Sequence, residues 1–237
     1  MTACLLSTTH LGPVAYYAVL YHADRVVVEA HENYNKQSWR NRFTIGTDQG
    51  PQTLSIPVER GARAKCPIAE LRLSAHGDWR HQLESALATN YGSTPFYEYY
   101  IDDLLAVYDA HNETLFDLNE ALRRRICQLI GFEPRVELTD GYIDAAALRP
   151  DGGAADLRDL RETLHPKRPL AAALPTFRAV PYWQVHAASQ PFMANLSIVD
   201  LLFNMGPESL LVLRDAMADE TAAEPATPKN ASTTSNQ

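Results

Sequence analysis

Cysteine is scarce: three residues, Cys4, Cys66 and Cys127, in a chain of 237. No two form a C-x-x-C pair, and an odd, widely spaced set does not build a disulfide framework. Reduced, mostly buried thiols in a cytoplasmic protein are the expectation. No apolar run approaches the roughly 20 residues that a membrane-spanning helix needs, and the opening "MTACLLSTTH" lacks the basic lead of a signal peptide. Positive charge is also short, with 21 Lys and Arg against 29 Asp and Glu and a formal net charge of −8. That removes the overall footprint of a nucleic-acid or anionic-membrane binder. The chain has no G-x-G-x-x-G, Walker A, H-E-x-x-H, G-x-S-x-G or calcium-loop pattern. His22, Asp24, Glu29, His31 and Glu32 are dense, yet they straddle a helix end and a strand, so no metal site is read there. Nothing indicates a cofactor or an oligomeric state.

What is present is an ordinary globular composition, 46% hydrophobic and 21% charged, enough for one large domain. Residues 217–237, rich in Ala, Thr, Ser, Asn and Pro, cannot bury enough surface to offset their ordering entropy and are read as a disordered tail. The remaining 1–216 form one domain, with a loop or hinge at 148–159 around Pro150, Gly152 and Gly153. "ACLLST" and "RVVVEA" read as buried strands joined by the helix of "GPVAYYAVLYHA", which implies a parallel pair. "QTLSIPV" and "IAELRLS" alternate and read as further strands. Helices follow at "DWRHQLESALATNYG", capped by Asp78, at "TPFYEYYIDDLLAVYDA", capped by Thr94, and at "NETLFDLNEALRRRICQLIG", whose Arg123, Arg124 and Arg125 suit a solvated face near the helix end. A short strand is expected at Tyr182–Val185. Ser197 and Asp200 make a capping pattern before one more helix, and a last helix follows from about Glu208. The fold class is α/β: a mostly parallel sheet in the N-terminal half with flanking helices, and a helical middle and C-terminal part.

Two stretches carry candidate chemistry. "YNKQSWRNRFTI", residues 34–45, mixes Tyr34, Lys36, Trp39, Arg40, Asn41 and Arg42. Were it extended, Arg40 and Arg42 would share one face, and paired guanidinium forks suit phosphate or carboxylate. Tyr34 and Trp39 would wall such a pocket. The alternative is a structural Arg pair holding Glu29 and Glu32. In "STTHLGPVAYY", His10 and Gly12 precede a helix N-terminus, a place where anions bind. That order is similar to the His-rich loop of HIGH-type nucleotidyltransferases, without the second His of their motif. Glu29, at the end of the second strand, and His10 are the candidate acid–base groups, because open parallel sheets bind ligands at strand carboxyl ends.

"HADRVVVEAHENYNKQSWRNRFTI…LSIPV", "NYGSTPFYEYY" and "YWQVHAASQPFMANLSIVDLLFNMGPE", in that order, resemble the blocks of the WbqC-like protein family in its shorter, Bacteroidetes-type form. Lys36, Trp39, Asn41 and Arg42 match its first block, Tyr91, Pro95 and Phe96 its middle block, and Tyr182, Gln184, Phe192, Asn195, Ser197, Asp200 and Asn204 its last. Phe96, Phe192 and Leu201 suit a core. Tyr182, Gln184 and Asn195 are polar and are added to the substrate-binding candidates. The chain departs from the family's Q-P-x-Y-F-P opening at "TTHLGPVAYY". It also lacks a Gly-Gly-x-x-Leu-Tyr segment, where "LRETLHPKRPL" stands. The resemblance implies a cytoplasmic transferase of surface-polysaccharide or O-antigen type synthesis. Its substrate would be an anionic small molecule, such as a nucleotide- or lipid-linked sugar. A non-catalytic binding or assembly protein of the same pathway is one alternative, and a distant relative of the HIGH-type nucleotidyltransferases is another.

Overall fold

The computed structural model describes residues 3–59, 65–148 and 157–218. Four parallel strands form the central sheet in the order β5-β2-β1-β6: β1 (Ala3–Ser7), β2 (Arg25–Glu29), β5 (Val136–Leu138) and β6 (Leu157–Asp159). A two-stranded antiparallel sheet pairs β3 (Arg42–Ile45) with β4 (Gln52–Ser55). The expected α/β class is what the structure shows, with a parallel β1–β2 pair joined by helix α1 (Val14–His22). β1 is buried along its whole length and β2 at Val26–Glu29, as short apolar runs inside a parallel sheet should be. The helical middle is α2 (Trp79–Tyr91), α3 (Tyr97–Asp109) and α4 (Leu115–Ile130). After α5 (Leu170–Ala173), the chain ends in α6 (Ile198–Met205) and α7 (Ser209–Asp215).

α4 has the clearest sequence logic. Leu115, Leu118, Leu122 and Ile126 return at helical spacing and are buried. Thr114 and Asp117 close a reciprocal capping box. Gly131 stops the helix with φ 94°, the left-handed conformation that glycine adopts without strain.

Several local expectations give way. "IAELRLS" is a 3-10 turn at Ile68–Glu70 with isolated bridges at Arg72 and Leu73, not a strand. Tyr182–Val185 is not a strand either; Val185–Ala188 is a 3-10 turn. Thr94 binds back to the Tyr91 carbonyl and Phe96 takes the cap position of α3. Asp78 makes no side-chain cap bond to α2. Arg123 is buried against Glu120 rather than solvated, and Phe192 is exposed rather than core. Within the expected loop at 148–159, Leu157–Asp159 is strand β6 and 149–156 lie outside the described residues. The expected tail also lies outside them from 219 onward, while Met217 bridges Phe177.

One seam holds the two ends of the chain together. Val14 N–H donates to the Leu196 carbonyl, Ile198 N–H to the Gly12 carbonyl, and Ser197 N–H to the Thr44 carbonyl in β3. Gly12 is required there, since a Cβ would meet Thr9 Oγ1 at 2.4 Å. Asn195 completes the seam, accepting from Ala15 N–H at 2.9 Å and so capping α1, whose Pro13 cannot. Asn195 also sits at φ 55°. Asn195→Ala therefore loses a cap, about 1 kcal/mol, and strains a left-handed backbone, roughly 1–2 kcal/mol more. Asn195→Gly loses only the cap. Urea unfolding should rank wild type above Gly above Ala; equal midpoints for the two variants would show that the backbone conformation contributes nothing.

Candidate functional site

The carboxyl ends of the parallel strands meet where strand order reverses, with β2 on one side of β1 and β6 on the other, the usual ligand position in open α/β sheets. A hollow of about 610 Å³ lies there. Glu32, Tyr34 and Arg40 line it from the chain following β2, Tyr142 from that following β5, and Glu162 from that following β6. Lys65 and Asn35 complete its polar wall.

The floor of this hollow is a buried ion pair, Arg40 with Glu32. Arg40, 3% exposed, donates from Nε to Glu32 Oε1 at 2.7 Å, and its Nη2 also reaches Glu32 Oε2. The same Nη2 donates to Ser7 Oγ at 2.7 Å, and Ser7 Oγ donates to Glu32 Oε2 at 3.1 Å. Glu162, whose side chain is half exposed, stands 3.9 Å from Arg40 Nη2. Beside this triad, Glu29 accepts four hydrogen bonds. His31 N–H and Thr139 Oγ1 reach Oε1 at 2.9 and 2.8 Å, and Ile143 N–H and Arg161 Nη1 reach Oε2 at 2.9 and 3.1 Å. Arg161 is in turn forked onto Asp159 and lies 5.3 Å from the centre of the Tyr142 ring. These bonds tie the ends of β2, β5 and β6 into one layer.

A second, smaller hollow of about 330 Å³ is lined by Gln37, Trp39, Arg42, Thr44, Thr53, Pro166 and Lys167. Arg42 and Thr44 point out of β3 while Phe43 and Ile45 point into the core, the strand period of two. No acid among the described residues pairs with Arg42, and its Nε is buried without an acceptor.

The structure thus separates the two arginines that an extended segment would have aligned. Residues 36–41 form turns, with Gln37 at φ 59°, and the strand starts only at Arg42. Arg40 turns onto Glu32, the structural pairing, while Arg42 faces the smaller hollow. Lys36 is exposed and lines neither hollow. Asn41 donates to the Ile56 carbonyl and so fixes the β3–β4 hairpin.

The acid–base candidates are both sealed. Glu29 is 0% exposed and its oxygens are saturated. His10 is equally buried: Asn119 Nδ2 donates to the Arg40 carbonyl, so Asn119 Oδ1 accepts from His10 Nδ1, and His10 Nε2 accepts from Tyr108 O–H at 2.9 Å. The N-terminus of α1 is closed by Asn195 and the Leu196 carbonyl, so the anion site expected of a HIGH-type loop is filled by the protein itself.

The last block is structural in the same sense. Asp200 is buried and accepts from Tyr91 O–H at 2.9 Å, Tyr182 O–H at 2.6 Å and Gln184 Nε2 at 3.0 Å. Burial raises its carboxyl pKa and these three donors oppose the rise. Ser197 accepts from Val199 N–H as a cap, but Asp200 is not its capping-box partner. Tyr182, Gln184 and Asn195 therefore fasten the 182–197 segment to α6 and α1 instead of lining a hollow. Sequence reasoning missed Glu162, Tyr142, Lys65 and Lys167; Lys167 at least stood in view, in "LRETLHPKRPL". Among the described residues no cluster of three or more His, Cys, Asp or Glu could hold a metal, and no helix is long and apolar enough to cross a membrane.

Residues 10–155 match the model of the WbqC-like protein family. A curated relative, the uncharacterized protein Rv1507c of Mycobacterium tuberculosis (strain ATCC 25618 / H37Rv), is 28% identical over 214 residues, covering 84% of this chain and 91% of the relative. No solved structure matches.

The sealed histidine has a measurable consequence. Burial lowers the His10 pKa from 6.5 to about 4, against the smaller opposing effect of the Asn119 bond. In the unfolded chain the ring protonates near pH 6.5; in the folded chain it stays neutral until about pH 4. As pH falls through that window the unfolded state gains a proton that the fold does not, so stability falls, by an amount on the order of 3 kcal/mol. Comparing wild type with His10→Gln by urea unfolding from pH 7 to 4 should show that this part of the acid slope is absent in the variant. Parallel slopes would mean the ring titrates normally and is accessible.

Proposed function

The chain belongs to the WbqC-like protein family, and from that premise we propose that it is a transferase of surface-polysaccharide or O-antigen type synthesis, acting on an anionic activated sugar or a related small molecule. The observation that supports this most is the hollow at the strand carboxyl ends, where Tyr34, Asn35, Lys65, Tyr142 and Glu162 stand over the Arg40–Glu32 floor. A sugar is bound by a rigid polar cradle with rings at its side. The ion pairs supply the rigidity, and Tyr34 and Tyr142 supply the rings.

A transfer to a hydroxyl or amine needs a group that takes up the acceptor's proton. Glu29 and His10 are out of reach of any solute. Glu162 takes that role: it is the exposed carboxylate of the hollow, held beside Arg40 and 3.9 Å from Arg168 Nη2. Arg40 then orients Glu162 and does not clamp the substrate. The sealing of both earlier candidates is also what favours the second reading, a binding or assembly protein of the same pathway with no chemistry of its own.

A thermal-shift screen of nucleotide sugars, nucleotides, amino acids and acyl-CoA compounds should find a nucleotide sugar that raises the melting temperature of wild type. The shift should shrink in Tyr34→Ala. Mass spectrometry of that ligand, incubated with amine and hydroxyl acceptors, should show conversion by wild type and at least a hundredfold slower conversion by Glu162→Gln, which keeps the binding shift. A ligand bound and returned unchanged by both proteins would establish the binding reading and end the transferase one.

A further inference from the structure

The smaller hollow has a chemistry of its own. Its cations come from two distant segments, Arg42 from β3 and Lys167 from the chain after β6, and no acid is among its lining residues. Thr44 and Thr53, paired across β3 and β4, add hydroxyls, and their oxygens stand 3.1 Å apart. Among the described residues the Lys167 ammonium, Nζ, donates only to the neutral amide of Gln37. Arg42 Nε is buried and lacks an acceptor, a state that is uncommon for a buried donor. His165, two residues from Lys167, has its pKa lowered first by burial; the Glu162 carboxylate opposes the drop, and the positive charges of Arg40, Arg168 and Lys167 add to it. Both hollows draw their walls from the same two segments, 34–42 and 162–167.

A volume of about 330 Å³ falls at the small end of ligand pockets, roughly 300–1,000 Å³. A guanidinium fork joined by a lysine point charge suits a group with several anionic oxygens better than a single carboxylate. Trp39, half-buried on the same wall, offers an indole face to a neighbouring ring.

We infer that the Trp39–Arg42–Lys167 hollow is the phosphate subsite of the same site. It takes the phosphoryl group of a phosphorylated or nucleotide-linked sugar, and the attached ring lies on Trp39. The assignment rests on the reading of the larger hollow as the sugar site. It moves the anion clamp from the Arg40–Arg42 pair to Arg42 and Lys167.

Titration calorimetry with inorganic pyrophosphate, uridine diphosphate, glucose 1-phosphate, uridine and glucose tests it. The phosphorylated probes should bind at least tenfold more tightly than their unphosphorylated counterparts and weaken as salt is raised. Arg42→Ala and Lys167→Ala should each lower that affinity tenfold or more. Arg42→Lys should retain part of it, which separates lost binding from lost folding; unliganded melting temperatures provide the second check. Uridine diphosphate ahead of glucose 1-phosphate identifies a nucleotide as the ring donor, and the reverse order identifies a sugar phosphate. Equal affinities with and without phosphate, or variants that bind like wild type, overturn the assignment. A nucleotide sugar that binds wild type and Arg42→Ala alike would sink this subsite while leaving the transferase reading intact. Pyrophosphate bound through Arg42, with no sugar bound by any protein, would sustain the subsite and remove the sugar reading.

Discussion

Two buried ion pairs, Arg40 with Glu32 and Arg161 with Glu29, decide what the carboxyl end of this sheet can be. Charged groups taken out of water are costly unless every polar atom is matched. Here the matching is nearly complete: Glu29 accepts four donors, and Glu32 shares Arg40 with Ser7. The pairs are poor candidates for chemistry for the same reason that they are good structure. A carboxylate whose lone pairs are all engaged has none left for an incoming proton. What they provide is a fixed floor joining the ends of β1, β2 and β6, above which loops can differ without moving the sheet.

Arg40 and Arg42 show how two neighbouring residues of one type come to do opposite things. The chain turns through 36–41 and enters β3 at Arg42. Arg40, on the turn, has its carbonyl held by Asn119 and its guanidinium spent on Glu32 and Ser7. Arg42, on the strand, alternates with the buried Phe43 and faces outward. The packing of Phe43 and Ile45 fixes the strand's register, and that register sets Arg42 against the smaller hollow.

Some local signals could be read, although the cap expectations at Asp78 and Thr94 were not met. The apolar runs of β1 and β2, the 3.6-residue spacing of α4 and its Thr114–Asp117 cap are all short-range patterns, and each formed as its residues dictate. "IAELRLS" alternates like a strand, yet it finds only isolated bridges as partners, and a strand without a ladder is not one. Asp200 carries the spacing of a helix cap, but Tyr91 and Tyr182, distant in sequence, claim its carboxylate. Of the candidate residues, Tyr34 and Arg40 line the larger hollow and Trp39 and Arg42 the smaller, but their partners were not legible. The 34–45 segment does border both hollows, but the opposite wall comes from residues 162–167. That wall lies beyond residues 10–155, the span matched to the family, and only the fold brings it there.

The acidity of the whole chain and the basicity of one hollow are not in conflict. Charges screen one another over about 8 Å in physiological salt, so a guest inside the smaller hollow feels Arg42 and Lys167 far more than the net −8 of the protein. A small anion fits wholly within that radius. A polyanion does not: its further phosphates lie beyond that radius, where the net −8 of the whole chain gives no general attraction. Under the inference drawn for this hollow, an anion would be selected by size, without the general attraction for nucleic acid that a basic surface would bring.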